Sequence, residues 1–199
     1  MIKTAVFVSG GGTNLQAIID AKNGGLIPSA SLSLVLSSSP DAYALERAKK
    51  VGIKTAVVSR RDEGENFEEK IIKTLDEEGI ELIVLAGFMS ILSENFTRKY
   101  ENRIINVHPS LIPSFCGKGF YGLRVHEAAL DYGVKVTGAT VHFVNEIPDG
   151  GKIIMQKAVE IKEDDTPETL QKRVMVEAEW KILPLSLEKV AKEMILKEI

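Results

Sequence analysis

A chain of 199 residues, 44% hydrophobic and 27% charged, has enough apolar material for one full core and is short for two domains. Its net charge of −3 comes without a clustered basic stripe, which argues against nucleic acid as the main partner, because neutralising phosphates needs grouped Lys and Arg. The single cysteine, Cys116, excludes an internal disulfide framework and fits a reducing cytoplasm; with three histidines and no Cys pair, no structural zinc site is expected.

Strand-length apolar runs alternate with helix-period segments from the N-terminus. Residues 3–8 read as a first strand, too short an apolar run for a signal peptide or a membrane span, so no membrane partner is expected. A helix follows over 14–21, with Leu15, Ile18 and Ile19 on one stripe. Residues 31–36 return as a strand and 42–51 as a helix, entered through Ser39-Pro40-Asp41. A third strand is expected over 53–58, a third helix over 66–78, and a fourth strand over 81–86, apolar enough to be covered on both faces. Residues 103–107 make a fifth. This alternation predicts an α/β fold with a doubly wound, mostly parallel central sheet.

Beyond residue 110 the pattern changes. Residues 114–123 read as a loop rich in glycine and aromatics, 124–132 as a helix, and 138–144 with 152–159 as a mixed strand pair at the end of the sheet. Thr166-Pro167-Glu168 opens a long C-terminal helical region, with a kink or break expected at Leu183-Pro184. No linker, repeat or low-complexity tract interrupts the chain, so residues 1–199 are expected to form one domain.

The run Ile104-Ile105-Asn106-Val107-His108-Pro109 carries the sharpest chemical signal. Residues i and i+2 of a strand share a side, so Asn106 and His108 should converge, and Pro109 ends the strand there. An amide donor beside a proton carrier suits acyl transfer; a strand-end Asn next to a structural His is the plainer alternative. Ser9-Gly10-Gly11-Gly12-Thr13-Asn14 lies between the first strand and helix, where glycines and free helix amides suit a phosphate. Leu15 replaces the third glycine of a dinucleotide fingerprint and no Gly-Lys-Ser/Thr occurs, which favours a single phosphate; a tight turn without a ligand is the alternative. Asp149, before two glycines, is explained by turn chemistry unless it folds back towards His108. The apolar stretch from Gly87 to Leu92 either lines a ligand crevice beyond the fourth strand or is ordinary core. His126 reads as a surface or partly buried helix residue, His142 as a hydrogen-bonded structural residue, and Cys116 as inert. The charge runs at 60–65 and 160–165 read as solvated loops.

Taken together, Ser9-Gly10-Gly11-Gly12-Thr13-Asn14-Leu15, Leu85-Ala86-Gly87-Phe88-Met89, Asn106-Val107-His108-Pro109-Ser110-Leu111-Ile112-Pro113 and Asp149-Gly150 resemble the glycinamide ribonucleotide transformylases, in order and over nearly the full length. The resemblance implies a Rossmann-like formyltransferase fold, with a phosphate-binding half over 1–100 and a folate and catalytic half over 101–199. It implies transfer of a formyl group from 10-formyltetrahydrofolate to the amine of glycinamide ribonucleotide in purine biosynthesis, without a metal. Asn106, His108 and Asp149 fall on the catalytic positions, with a protonated His108 kept charged by Asp149, and Thr140 in support. Gly11, Gly12, Thr13, Asn14, Pro109 and Glu179 fall on the ribonucleotide side; Met89, Ser90, Ile91, Leu92 and Val144 fall on the folate side. Ser90 stands where some members carry Arg, and Trp180 follows Glu179 where His is frequent.

Two other readings stay open. A formyltetrahydrofolate deformylase uses a similar constellation with water as acceptor, and a non-catalytic phosphometabolite-binding module would keep only the glycine loop. Small-molecule partners, a cytoplasmic location and a monomer or homodimer are expected.

Overall fold

The computed structural model describes residues 1–197, and its architecture follows from how the first strand divides its side chains. In β1 (Ile2–Val8), Ala5 and Phe7 are fully buried in one apolar cluster while Val6 and Val8 are fully buried in another. Successive strand side chains point to opposite faces, so a strand apolar on both parities must be covered twice. The covering layers are unequal. On one face α1 (Thr13–Asn23) and α8 (Trp180–Lys197) bury Leu15, Ile18, Ile182, Leu183 and Leu187. On the other, α4 (Phe67–Glu78) and α5 (Glu94–Lys99) bury Phe67, Ile71, Leu75 and Phe96.

The sheet has seven strands in the order β3-β2-β1-β4-β5-β6-β7. Here β2 is Ala30–Ser37, β3 Lys54–Val57, β4 Leu82–Leu85 and β5 Ile104–His108, all parallel to β1. β6 (Val136–Phe143) and β7 (Ile153–Glu160) complete it antiparallel, as the expected strand pair. The remaining helices are α2 (Tyr43–Lys50), the single turn α3 (Arg60–Glu63), α6 (Leu123–Tyr132) and α7 (Pro167–Val174). The doubly wound, mostly parallel α/β sheet is therefore as the sequence predicts. Strand order reverses between β1 and β4, and in such sheets the crevice beyond the carboxyl ends at the reversal takes ligands. The glycine segment leaves β1 there, Gly87 leaves β4, and His108 ends β5.

Three expectations need correction. The helix does not break at Leu183-Pro184: α8 continues through a buried Pro184, and the irregularity is a π turn at Met175–Glu179, where the Trp180 N–H bonds the Met175 carbonyl. The carbonyl that a proline ring crowds is four residues back, here Trp180, so a widened turn just upstream gives Pro184 room. The charges at 60–65 form α3 and a 3₁₀ turn (Gly64–Asn66) rather than a plain loop. Asp165 is no free surface charge either; Arg173 grips both its oxygens, Lys162 N donates at 2.8 Å, and its carboxyl is held down at about 2. Arg173 lies in the next helix, a partner that a local charge run does not announce.

Phe7 is fully buried at the reversal and packs against a tilted Phe88 ring with centroids 5.2 Å apart. Phe7→Ala should lower unfolding free energy by about 3–5 kcal/mol, read as a fall in the urea midpoint at unchanged m-value.

Candidate active site

The antiparallel β5–β6 pair builds the centre of the site. Asn106 lies opposite His142 and His108 opposite Thr140, and facing residues share a side, so four polar side chains meet on one face. Asn106 Nδ2 lies 3.2 Å from His142 Nε2. The Nδ1 of His142 is 2.8 Å from the Phe143 carbonyl, so it donates there and leaves Nε2 to accept from Asn106 in the neutral ring. His108 donates from Nε2 to the Phe115 carbonyl at 2.9 Å, which turns Nδ1 towards the site. Thr140 spends its hydroxyl on the loop after β5: it donates to the Ser110 carbonyl at 2.7 Å and accepts from Ile112 N at 3.1 Å. Its support of His108 is therefore exerted through the backbone of the Pro109–Pro113 loop.

Asp149 does fold back. Its carboxylate sits 3.5 Å from both His108 Nδ1 and His142 Nε2 and accepts from Gly117 N at 2.8 Å. Asp149 has φ 56°, a left-handed conformation that Asp tolerates better than most residues. Gly151 makes the return possible, since a Cβ there would lie 1.7 Å from the Phe143 carbonyl oxygen. Burial pushes the Asp149 carboxyl up, but His142, His108 and Gly117 N–H outweigh it and leave it below the ordinary range. For His108 the balance goes the other way. Burial lowers its pKa more than Asp149 and the Phe115 carbonyl raise it, so the unliganded ring favours the neutral form. Asp149 acts in the expected direction on His108, but a ring 5% exposed loses more hydration than one carboxylate at 3.5 Å returns, so the net shift in the free protein is downward.

The glycine loop lies along the same edge. Gly12 has φ 72°, and a Cβ there would meet Ala44 Cβ at 2.6 Å, so the loop can press against α2 only as glycine. Gly10 and Gly11 face open space, and no side chain caps the first turn of α1. That leaves amides and the positive end of an eleven-residue helix for an anion. Thr13 reaches Met175 Sδ at 3.9 Å, and Asn14 Nδ2 donates to Glu179 Oε2 at 2.7 Å. Glu179 sits in the π turn, 6% exposed, with its carboxyl pushed up by burial against the opposing pull of Asn14. π turns often mark functional positions, and this one carries a buried acceptor to the glycine loop. Pro109, half-buried, follows His108 at the end of β5.

Beyond β4, Met89 N donates to Ser9 Oγ at 2.9 Å, and Ser9 Oγ lies 2.6 Å from Ser38 Oγ. Ser9 thus ties the glycine loop to residues 88–92. Met89 and Ile91 are exposed and, with Ser90 and Leu92, line a cleft of about 630 Å³, so they are not ordinary core. Leu92 and Val144 pack on the edge of the same core cluster.

Sequence reasoning underrated two histidines. His142 is hydrogen-bonded, as expected, but it also lies beside Asn106 and Asp149; polar residues at 140 and 142 in an otherwise apolar strand were a readable sign that they share a face with the candidate site. His126 is fully buried on α6, with neither ring nitrogen hydrogen-bonded, which corrects the surface reading. Cys116 stays inert: burial and Asp149 push its thiol up, away from the reactive thiolate. Among the described residues no helix is long and apolar enough to cross a membrane.

Residues 2–187 match the formyl transferase family, and the chain belongs to it. It is 43% identical to the phosphoribosylglycinamide formyltransferase of Haemophilus influenzae, covering 93% of this chain and 85% of that one. It is 44% identical to the trifunctional purine biosynthetic protein adenosine-3 of Gallus gallus over 96% of this chain, and spans 18% of that longer protein. The crystal structure of glycinamide ribonucleotide transformylase 1 from Symbiobacterium toebii superposes with a TM-score of 0.90 at 39% identity, over 97% of this chain and 89% of that one. The family resemblance drawn from the motifs is borne out.

Burial, helped by His108, pushes His126 down to about 4, below the ordinary 6.5. A lowered folded-state pKa gives stability that is complete above about 6.5 and is lost as pH falls through about 4; His108 adds in the same direction. The urea midpoint should therefore fall between pH 7.5 and pH 4.5, and His126→Leu should flatten that fall; an equal fall in the variant would contradict a neutral buried ring.

Proposed function

We propose that the protein transfers the formyl group of 10-formyltetrahydrofolate to the amine of glycinamide ribonucleotide, giving formylglycinamide ribonucleotide and tetrahydrofolate. The observation that carries this reading is the convergence of Asn106, His108 and Asp149 beside a glycine loop joined to a buried carboxylate. The glycine loop of Gly11, Gly12, Thr13 and Asn14 takes the substrate phosphate on its free amides. Glu179 accepts from the ribose hydroxyls, and Pro109 packs against the substrate. Met89, Ser90, Ile91, Leu92 and Val144 hold the folate, so its formyl carbon comes to the amine at the end of β5.

In the reaction the amine forms a bond to the formyl carbon, the bond from that carbon to N10 of the folate breaks, and one proton moves from the amine to N10. Asn106 Nδ2 donates to the formyl oxygen as negative charge grows on it, where a positioned donor is worth most. Asp149, ionised and beside His108 Nδ1, accepts the proton from the amine and shares it with the ring. The growing oxyanion favours an imidazolium, so the His108 pKa rises when it is useful. The ring held neutral in the free protein thus becomes the acid that returns the proton to N10. His142, accepting at Nε2, orients the amide of Asn106.

These groups lie on strands of one sheet or on segments that connect its strands and helices, which supports one formyltransferase domain over residues 1–199. Its partners are then small molecules, with neither nucleic acid nor metal called for, in a cytoplasmic monomer or homodimer; the lone cysteine suits that compartment.

The test is folate release from 10-formyltetrahydrofolate with and without the ribonucleotide. Release that requires the ribonucleotide and yields its formylated product supports the transferase; equal release without it makes the protein a deformylase, and no release leaves a binding module. His108→Ala and Asp149→Asn should each lower kcat by about 10²–10⁴ while ribonucleotide binding, followed by calorimetry, is retained.

A further inference from the structure

The two sides of the backbone in the glycine loop are treated differently. The carbonyls of Gly10, Gly11 and Gly12 each have a donor: Ala44 N at 3.1 Å, Arg47 Nε at 2.8 Å and Gln16 N at 2.9 Å. The N–H groups of Gly11, Gly12 and Thr13 have no acceptor among the described residues. In a trans peptide the C=O and N–H point to opposite sides, and the one cis bond among the described residues is Ile112–Pro113. Holding the carbonyls of Gly10 and Gly11 against α2 therefore turns the N–H groups of Gly11 and Gly12 away from it. Successive N–H groups presented in this way make a concavity for an anion.

Both of the outside donors come from α2. Ala44 N is the second amide of a helix with no side-chain cap, so it is free to take the Gly10 carbonyl. Arg47 follows three residues later on the same face. Its half-buried side chain is held at three points: Nε on the Gly11 carbonyl, Nη1 on Gln16 Oε1 at 2.9 Å, and the guanidinium 5.0 Å from the centroid of the Tyr43 ring. A long cation ordinarily samples many rotamers; this set of contacts fixes one. Glycine peptides need such a hold. Lacking Cβ, they rotate at little steric cost, and a turned Gly11–Gly12 peptide would present a carbonyl oxygen where an anion needs an N–H.

Resting on the reading of this loop as the holder of the ribonucleotide phosphate, we infer that Arg47 is a positioning residue for that phosphate. By donating to the Gly11 carbonyl it keeps the Gly12 N–H aimed at the anion, while Ala44 N does the same for the Gly11 N–H. The side chain acts through the peptide rather than by touching the phosphate itself. It stands 36 positions from Gly11 in the chain, which is why the loop sequence alone gives no sign of it.

The test separates the hydrogen bond from the charge. Glutamine carries its amide nitrogen as many bonds from Cα as the Nε of arginine, so Arg47→Gln keeps a donor there without the charge; Arg47→Met has similar length and neither. In the full-length protein, Arg47→Met should raise KM for the ribonucleotide roughly tenfold, with kcat and KM for the folate donor within about twofold. Arg47→Gln should restore most of the loss, and a substrate lacking the phosphate should be used equally by all three proteins. Arg47→Gln as impaired as Arg47→Met would assign the effect to charge and overturn the positioning role, as would an equal loss on the phosphate-free substrate. Inorganic phosphate gives a reading independent of turnover: it should shift the Gly11 and Gly12 amide resonances of the wild type, with Kd roughly tenfold weaker in Arg47→Met. No shift of these amides in the wild type overturns the assignment. Phosphate binding as expected, in a wild-type protein that does not formylate the ribonucleotide, supports the role of Arg47 and overturns the formyl-transfer reading instead.

Discussion

The return of Asp149 to the β5–β6 pair is the contact on which the site depends. Without it, Asn106 and His108 are two polar residues at a strand end; with it, a carboxylate lies 3.5 Å from two imidazoles. The return is built by close packing. Gly151 runs its backbone against the Phe143 carbonyl where no side chain fits, Asp149 accepts a left-handed backbone, and Gly117 N–H fixes one carboxylate oxygen. The Cys116 region is thereby tied to the same carboxylate, and Phe115 supplies the carbonyl that sets the tautomer of His108. One turn thus joins the two loops flanking the reaction centre.

Much of this was legible in the residues. The apolar run at 81–86, Pro109 after His108 and the glycine segment between strand and helix each state a local rule, and the structure obeys them. Boundaries shifted by a residue or two, as helix and strand ends do. What could not be read was long-range. The register that sets Asn106 against His142, the Asn14–Glu179 bond across 165 residues and the Asp165–Arg173 grip all depend on where distant segments meet. The buried place of His126 was hidden for the same reason: a lone His in a helix gives no sign of which face it takes.

The protonation of His108 is set by two opposed effects. Proximity of a carboxylate suggests a charged ring, but both groups are withdrawn from water, and the hydration lost by the ring outweighs the attraction. This makes the unliganded site a poised one. A neutral imidazole and an ionised carboxylate can together take up one proton, and a substrate bringing negative charge tips the pair towards imidazolium. A permanently charged His108 would stabilise an oxyanion but could not accept the proton that the amine must lose.

The central claim is therefore that His108 is neutral before the reaction and coupled to Asp149. It is tested most directly by titrating the His108 ring by NMR in the wild-type and Asp149→Asn proteins. The account predicts a wild-type pKa below 6.5 that falls further when the carboxylate is removed. A wild-type value above 6.5, or a value that ignores the loss of Asp149, would contradict it.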